Sequence, residues 1–519
     1  MATYTRANAW NSGGTFQNSD LLWYAKGVGE MQNRKLDDPH SWWFFAALHG
    51  QVVTPEVLKD PPAIPWKTIP SPPSVPTTPL PNPKLSDRYW DQCQHQSWYF
   101  LPWHRGYLTA LEAHIRAIVI SLKGPATWAL PYWNYFGGEN QKQIPPAFTE
   151  HTLPNGSPNP LYVKARYGPK GNGHVFVEIP PTAQKSLLDR VFAGRNNSVP
   201  PGFGGPVTGF SHENSDNGGV ETNPHNNVHG FVGGPQEDAL MGYPALAALD
   251  PIFYLHHANI DRLWAVWNND PTHTNPTSPN WLKGPVAVGD REFVMPMPDG
   301  SEWVYTPVEM SDLAQQTYTY DDLPKSPQLA AAFADRLKRL GAKADSAKIT
   351  KGGPVTTEEH SELVGASEPA LVIQPKGAST SVKLESNVRR KVAASLAAAA
   401  ETSAPDRVFL KLENVRGTFD PAVLSVYVNL PSGAAPAGHP DLLAGTVGLF
   451  GLKGASRVDA KHGGKGLSFS LEITDIVDAL HLKGALDVDS LHVDIVPQTE
   501  LPAGTQITVG RISIYRLGR

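Results

Sequence analysis

Histidines set inside runs of aromatic and aliphatic residues constrain this 519-residue chain more than any other feature. There are 18 histidines in all, and a lone one is usually structural or exposed. Six keep different company. His49 closes "SWWFFAALH", His95 and His104 bracket "HQSWYFLPWH", His225 and His229 stand four apart in "PHNNVHGFVGG", and His257 falls within "DPIFYLHHANIDRLWAVW". Burying an imidazole without a partner is costly. A metal is one economical partner for several of them at once.

The ligand type narrows the metal. His225 and His229, at i and i+4 of a short helix, project from one face. His257 shares an apolar stripe with Phe253, Ile260 and Trp264. Helical phase does not separate it from His256, whose own stripe holds Ile252, Leu263 and Trp267. No HExxH motif and no inward Glu-x-x-His pair accompanies these residues, so a zinc hydrolase lacks its base and an iron site its carboxylates. Neutral imidazoles suit copper, and six of them make two three-histidine sites.

Composition sets the class. The chain is 40% hydrophobic and 18% charged with a formal net charge of -5, which is ordinary for a soluble globular protein. No basic stripe points to nucleic acid and no polybasic run to a membrane surface. No apolar run nears the ~18 residues a transmembrane helix needs. The start, "MATYTRANAWNSGG", lacks a leader pattern, so a cytoplasmic chain is expected. Cys93 is the one cysteine, which excludes an intramolecular disulfide.

The chain divides by texture. Residues 12–50 read as helical, and "DDPHSWWFFAALHG" offers Asp38 as a cap, Pro39 first and Gly50 as a stop. Proline-dense residues 60–83 predict a long surface loop. Residues 104–120 predict a helix with Leu108, Leu111, Ile115 and Val119 on one face. Asp250 caps a longer helix through His257. Loops dominate residues 137–220. Residues 326–404 read as an Ala-, Lys- and Ser-rich linker with helical pieces. Beyond it, "VFLKLENV", "VLSVYVNL", "LSFSLEI", "LHVDIV" and "QITVGRISIY" alternate like strands, with a bulge expected at Gly510. The expected architecture is a mainly α catalytic unit over residues 1–325, that linker, and an all-β sandwich-like domain over residues 405–519.

These stretches resemble the type 3 copper proteins, which include tyrosinase, catechol oxidase and the molluscan hemocyanin unit. The resemblance rests on "LHG" at His49, "HQSWYFLPWHRGYL", "LPYWNY", "PHNNVHGFVGG" and "DPIFYLHHANIDRLWAVW". It extends through "YTYDDLP" and the C-terminal strands to the plant-type polyphenol oxidases, without their N-terminal cysteines. It implies a four-helix bundle around two copper ions. By position, His49, His95 and His104 would bind the first copper and His225, His229 and His257 the second. Phe253 would be the gate over the second copper. Cys93 and His95 match the Cys-x-His spacing that fungal tyrosinases and molluscan hemocyanins join by a thioether.

The resemblance also implies an activity: ortho-hydroxylation of monophenols such as tyrosine and oxidation of DOPA or other catechols to ortho-quinones, with dioxygen. A phenol, with a pKa near ~10, must lose a proton first. Glu221 is placed to hold a water that takes it, with Asn226 as a second donor to that water. Asp261, one turn after His257, is expected to orient a ligand imidazole. The C-terminal domain would keep the site latent until displaced. Catechol oxidation alone and hemocyanin-like dioxygen carriage are the alternatives. The chain carries one copy of the unit where molluscan carriers string many together. A homo-oligomer is left open.

Overall fold

The computed structural model describes residues 4–167, 175–194, 199–210, 216–325, 329–341, 360–398, 405–458, 463–485 and 489–518. Its helical half is built on two long helices. Helix α3, Phe100–Ser121, packs against α1, Ser19–Gln32, on one side and α5, Ile252–Asn268, on the other. The expected stripe of Leu108, Leu111, Ile115 and Val119 is buried on α3. Gly27 lets α1 close on it, since a Cβ there would sit 2.5 Å from Ile115 Cγ2.

Two shorter helices complete the frame of the site. The first is α2, Trp42–His49, whose every residue is buried. Its cap is Ser41, which accepts from the Phe44 amide at 3.0 Å; Asp38 instead accepts from the His40 amide. The start is thus three residues later than the proline signal predicts, because a serine oxygen at the right spacing serves the helix N-terminus as well as an aspartate does. The other is α4, Asn226–Gly233, entered through one π-turn over Glu221–His225. Asp250 does serve α5, accepting from the Ile252 amide at 3.0 Å while Arg166 holds the carboxylate.

Strands β1, Tyr4–Arg6, and β2, Tyr318–Tyr320, pair in parallel and tie the start of the helical unit to its end. Between them lies a buried ionic hub. Asp261 accepts from Arg105 at 2.5 Å, Arg6 at 3.3 Å, Tyr318 at 2.6 Å and Tyr320 at 2.5 Å.

The C-terminal half is one nine-stranded antiparallel sheet, not two sheets face to face. Its strands are β3 His360–Ala366, β4 Leu371–Val372, β5 Ala378–Leu384, β6 Arg407–Gly417, β7 Val423–Val428, β8 Leu443–Gly448, β9 Leu467–Glu472, β10 Ser490–Pro497 and β11 Ile507–Gly518. The order is β8-β7-β10-β5-β3-β11-β6-β9, with β4 added on β11. The end strands β8 and β9 approach each other, Gly445 facing the Leu471 side chain, so the sheet curls around its own apolar core. All five alternating runs are strands.

The linker expectation needs correction. Residues 360–384 form three strands, and the helix Ser386–Ala398 buries Val388, Val392 and Leu396 in the same core. Their alternation is weak because β3 pairs with β11 at the far end of the chain, and that partner carries most of the apolar surface. Residues 342–359 and 399–404 lie outside the described residues. At Gly510 the buried phase changes as expected, yet β6 and β11 keep register through it; the slip lies between β6 and β9, beside Asn414 at φ 54°.

Candidate metal centre

Two clusters of metal-ligating side chains form where the helices converge. His49, Cys93, His95 and His104 make one; His225, His229, His256 and His257 make the other. Within each, the candidate ligand atoms lie within 4.8 Å of one another. The clusters adjoin, with the His104 and His257 rings stacked at 4.2 Å and 10°.

Each cluster is oriented from outside by hydrogen bonds to Nδ1. His49 Nδ1 lies 2.8 Å from the Pro244 carbonyl, His104 Nδ1 2.8 Å from that of Phe100, and His229 Nδ1 2.8 Å from that of Met241. His225 Nδ1 lies 2.8 Å from Asn226 Oδ1. An oxygen acceptor requires the proton on Nδ1, which leaves the Nε2 lone pair for a metal. Consistent with that, Nε2 of His225, His229 and His256 and both ring nitrogens of His257 are buried without a hydrogen-bond partner. Burial and neighbouring imidazoles hold His104, His225, His229, His256 and His257 well below the usual histidine range, so they are neutral. Orphaned, neutral, convergent imidazoles fit two copper ions. His256 also bonds Tyr135 through Nδ1 at 3.2 Å, which gives it the same outward anchor as the others.

Cys93 is 4% exposed, and burial pushes its thiol pKa up. Its Sγ lies 3.5 Å from His95 Nδ1 and 3.7 Å from Nε2, close to both ring nitrogens. It also lies 3.5 Å from His104 Nε2.

Glu221 is buried, not a solvated loop residue. Its two oxygens accept from the Gln96 amide at 2.8 and 2.9 Å, and burial pushes its pKa up to about 8. It therefore hangs beside His95 of one cluster while its own chain leads into His225 of the other. Asn226 is also buried, and its oxygen is taken by His225 while its nitrogen donates to Asn217 Oδ1 at 3.1 Å.

One expectation changes. Asp261 does not orient a ligand imidazole: two arginines and two tyrosines take its carboxylate, and both His257 nitrogens are unpartnered. One helical turn is enough to carry its side chain from the copper region into the ionic hub. Phe253 is fully buried against both clusters, its ring 4.2 Å from His257 and 5.9 Å from His229 of the second and 4.8 Å from His49 of the first.

The ring that covers the second cluster comes from the sheet domain. Phe450 stacks on His229 at 3.8 Å and 19°, edge-on to His95 at 5.4 Å and His225 at 5.7 Å. It belongs to the apolar core of the helical unit rather than that of the sheet. The turn that presents it needs Gly451, at φ 86°. Strand β8 leads into this turn and lies on α4. Thr446 Oγ1 accepts from Asn227 at 2.7 Å and its carbonyl accepts from Asn223 at 2.8 Å. A Cβ at Gly448 would sit 2.2 Å from the Asn226 carbonyl. Ion pairs Asp216–Lys411, Asp189–Arg407, Lys185–Asp475 and Asp60–Arg457 cross the same boundary. The segment "GLFGLKG", an aromatic between glycines outside any alternating run, was the one available signal for Phe450.

Residues 39–270 match the family described as the common central domain of tyrosinase. Residues 360–517 match a family described only as a domain of unknown function. Tyrosinase HcTyr1 of Hahella sp. (strain CCB-MM4) is 29% identical over 526 residues, covering 98% of this chain and 99% of its own. Catechol oxidase B of Solanum tuberosum is 35% identical over 189 residues, 33% of this chain and 30% of its own. In fold, the chain is similar to latent apple tyrosinase, with a TM-score of 0.56 at 20% identity over 99% of this chain and 97% of that one. A latent aurone synthase gives a TM-score of 0.58 at 19% identity over 100% and 90%. Residues 39–270, the segment similar to the tyrosinase central domain, hold every histidine of the two clusters, and the four that bond an oxygen acceptor through Nδ1 keep Nε2 for a copper ion: this chain is similar to the type 3 copper tyrosinases.

Proposed function

We propose that this protein is a phenol oxidase of the tyrosinase type, which hydroxylates monophenols at the ortho position, oxidises ortho-diphenols to ortho-quinones, and is latent in the closed form. The observation that carries this reading is the seat of Phe450. A phenyl ring already stacks on a ligand imidazole at 3.8 Å, so the site accepts the ring of a phenol. A dioxygen carrier has no need of such a seat.

His49, His95 and His104 would hold one copper, and His225, His229 and His257 the other. Bound copper supplies dioxygen activation and the redox change. Overall, a monophenol and dioxygen give an ortho-quinone and one water. The protein's residues do the rest. His229 stacks the ring, Phe253 and Phe100 close the dry walls, and Glu221 takes the phenol proton through a water. With a pKa of about 8 that carboxyl can exchange a proton near neutral pH. Asn226 steadies the His225 ring and keeps an N–H for the same water.

Cys93 Sγ lies 3.5 and 3.7 Å from the two ring nitrogens of His95, a proximity that supports a thioether between them; an intact mass two hydrogens below the calculated value, with no titratable thiol, is expected. We place the boundary of the two units within residues 326–359 and assign α1, α3, α4 and α5 to the family's four-helix bundle. The decisive experiment loads the chain with copper and compares a monophenol with its catechol, before and after mild acid or detergent. Activity on both that rises on opening is expected. Replacing Glu221 by Gln should lower monophenol turnover about 100-fold and diphenol turnover far less. Equal losses would remove Glu221 from the proton path, and no monophenol turnover at any stage would leave a catechol oxidase.

A further inference from the structure

A line of buried amides leads from the second cluster into the C-terminal sheet. His225 Nδ1 lies 2.8 Å from Asn226 Oδ1, Asn226 Nδ2 lies 3.1 Å from Asn217 Oδ1, and Asn217 Nδ2 lies 3.2 Å from the Ser468 carbonyl oxygen. His225, Asn226, Asn217 and Ser468 are each at most 3% exposed. Ser468 belongs to β9, an end strand of the sheet.

The direction of this line is fixed at both ends. An imidazole that offers Nε2 to a metal keeps its proton on Nδ1, so Asn226 must turn its oxygen toward His225. A carbonyl only accepts, so Asn217 must turn its nitrogen toward Ser468. Asn217 is the link that accepts from one side and donates to the other. Its own backbone N–H donates to the same carbonyl at 3.2 Å. The residue before it, Asp216, forms a buried ion pair with Lys411 of β6 at 3.0 Å. The segment is thus clamped to the sheet at two points.

We propose that Asn217 is a positioning residue for the second copper, holding the His225 ring through Asn226 with the C-terminal sheet as its anchor. The sheet then acts on the site twice, covering it with Phe450 and bracing a ligand from behind. The proposal rests on His225 being a copper ligand. Partners beyond the ligands themselves are worth roughly 10–100-fold in metal affinity; Asn217 stands one bond further out, so the lower end, about tenfold, is expected.

The test uses the full-length, copper-loaded chain. Wild type, Asn217→Asp, Asn217→Ala and Asn217→Ser are dialysed against graded chelator, and copper per chain is counted. Asn217→Asp keeps size and the bond from Asn226 but sets a carboxylate against the Ser468 carbonyl. It and Asn217→Ala should release one of the two coppers about tenfold more readily while holding the other normally. Asn217→Ser, which can still accept and donate, should fall between them and wild type. In zinc-loaded, 15N-histidine-labelled protein, the His225 Nδ1 proton should be protected in wild type and exchange in the first two variants. Retention of both coppers at wild-type affinity in Asp and Ala variants would overturn the proposal. So would loss of both coppers together, which marks general damage rather than a loosened ring. A wild type that binds no copper defeats the ligand assignment itself and is told apart by that control.

Discussion

The two histidine clusters are made of the same side chains but are held by different parts of the molecule. The first draws on α2, on the loop before α3 and on α3 itself, and its outward anchors are carbonyls of the helical unit. Cys93 stands against both His95 and His104 within it. The second lies on α5 and on α4 with its entering turn, and the sheet domain presses on it. Thr446 holds Asn223 and Asn227, Phe450 covers His229, and Ser468 reaches His225 through two asparagines. The sheet domain touches the first cluster only through the edge of Phe450 against His95, whereas it both covers and hydrogen-bonds the residues around the second.

Four experiments break or sharpen that contrast. The largest effect is expected from His257→Ala, which should abolish binding of the second copper and all oxidase activity, while His256→Ala leaves two coppers bound. Metal counting on both variants decides it, and the reverse outcome would move the ligand to His256. Next comes Phe450→Ala. Truncating a buried phenylalanine costs roughly 3–5 kcal/mol, part of which holds the site closed, so activity of the intact chain without detergent should rise about 100-fold. No rise would show that another group does the covering.

Glu221, between the clusters, gives the third test. Its pKa is raised from 4.5 to about 8 in the folded chain because its carboxylate is desolvated. The unfolded chain releases that proton first, so stability of the metal-free protein should fall as pH rises from about 4.5 to about 8 and level off above. Chemical denaturation across that range should show a decline on the order of 5 kcal/mol that Glu221→Gln flattens. The smallest effect belongs to Thr446→Val, which keeps volume but deletes the bond to Asn227. A loss of about 1 kcal/mol in domain docking should raise closed-form activity roughly fivefold. An equal effect of Thr446→Val on release of both coppers would argue that the sheet leans on the whole site.

Much of the helical unit was legible because its signals are local. Aromatic runs around His49, the i, i+4 pair at His225 and His229, and the stripe on α3 all report burial within a few residues of themselves. Five of the six strands described in the last 115 residues were legible for the same reason. Strands β3, β4 and β5 were not, since their apolar faces are short and their partners on β10 and β11 distant, and β8 was not because its run "LAGTVG" carries two glycines in place of apolar side chains. Asp261 shows the limit of helical spacing: one turn from His257 is near in sequence, yet its carboxylate belongs to Arg6, Arg105, Tyr318 and Tyr320. Asn226 was legible as a neighbour of a ligand, but not as a link to Ser468.

By itself the sequence determined which side chains can meet a metal, because neutral imidazoles in apolar runs have few other uses. It also determined that a single cysteine stands two residues from one of them. Only the tertiary structure decided what covers and braces the site. Phe450 meets the second cluster, and Thr446 and Ser468 reach its surroundings through asparagines, because a curled sheet, closed by residues far apart in the chain, lays β8 across α4 and β9 beside Asn217. Contacts of that kind depend on how two finished units dock, and no local pattern of hydrophobicity records them.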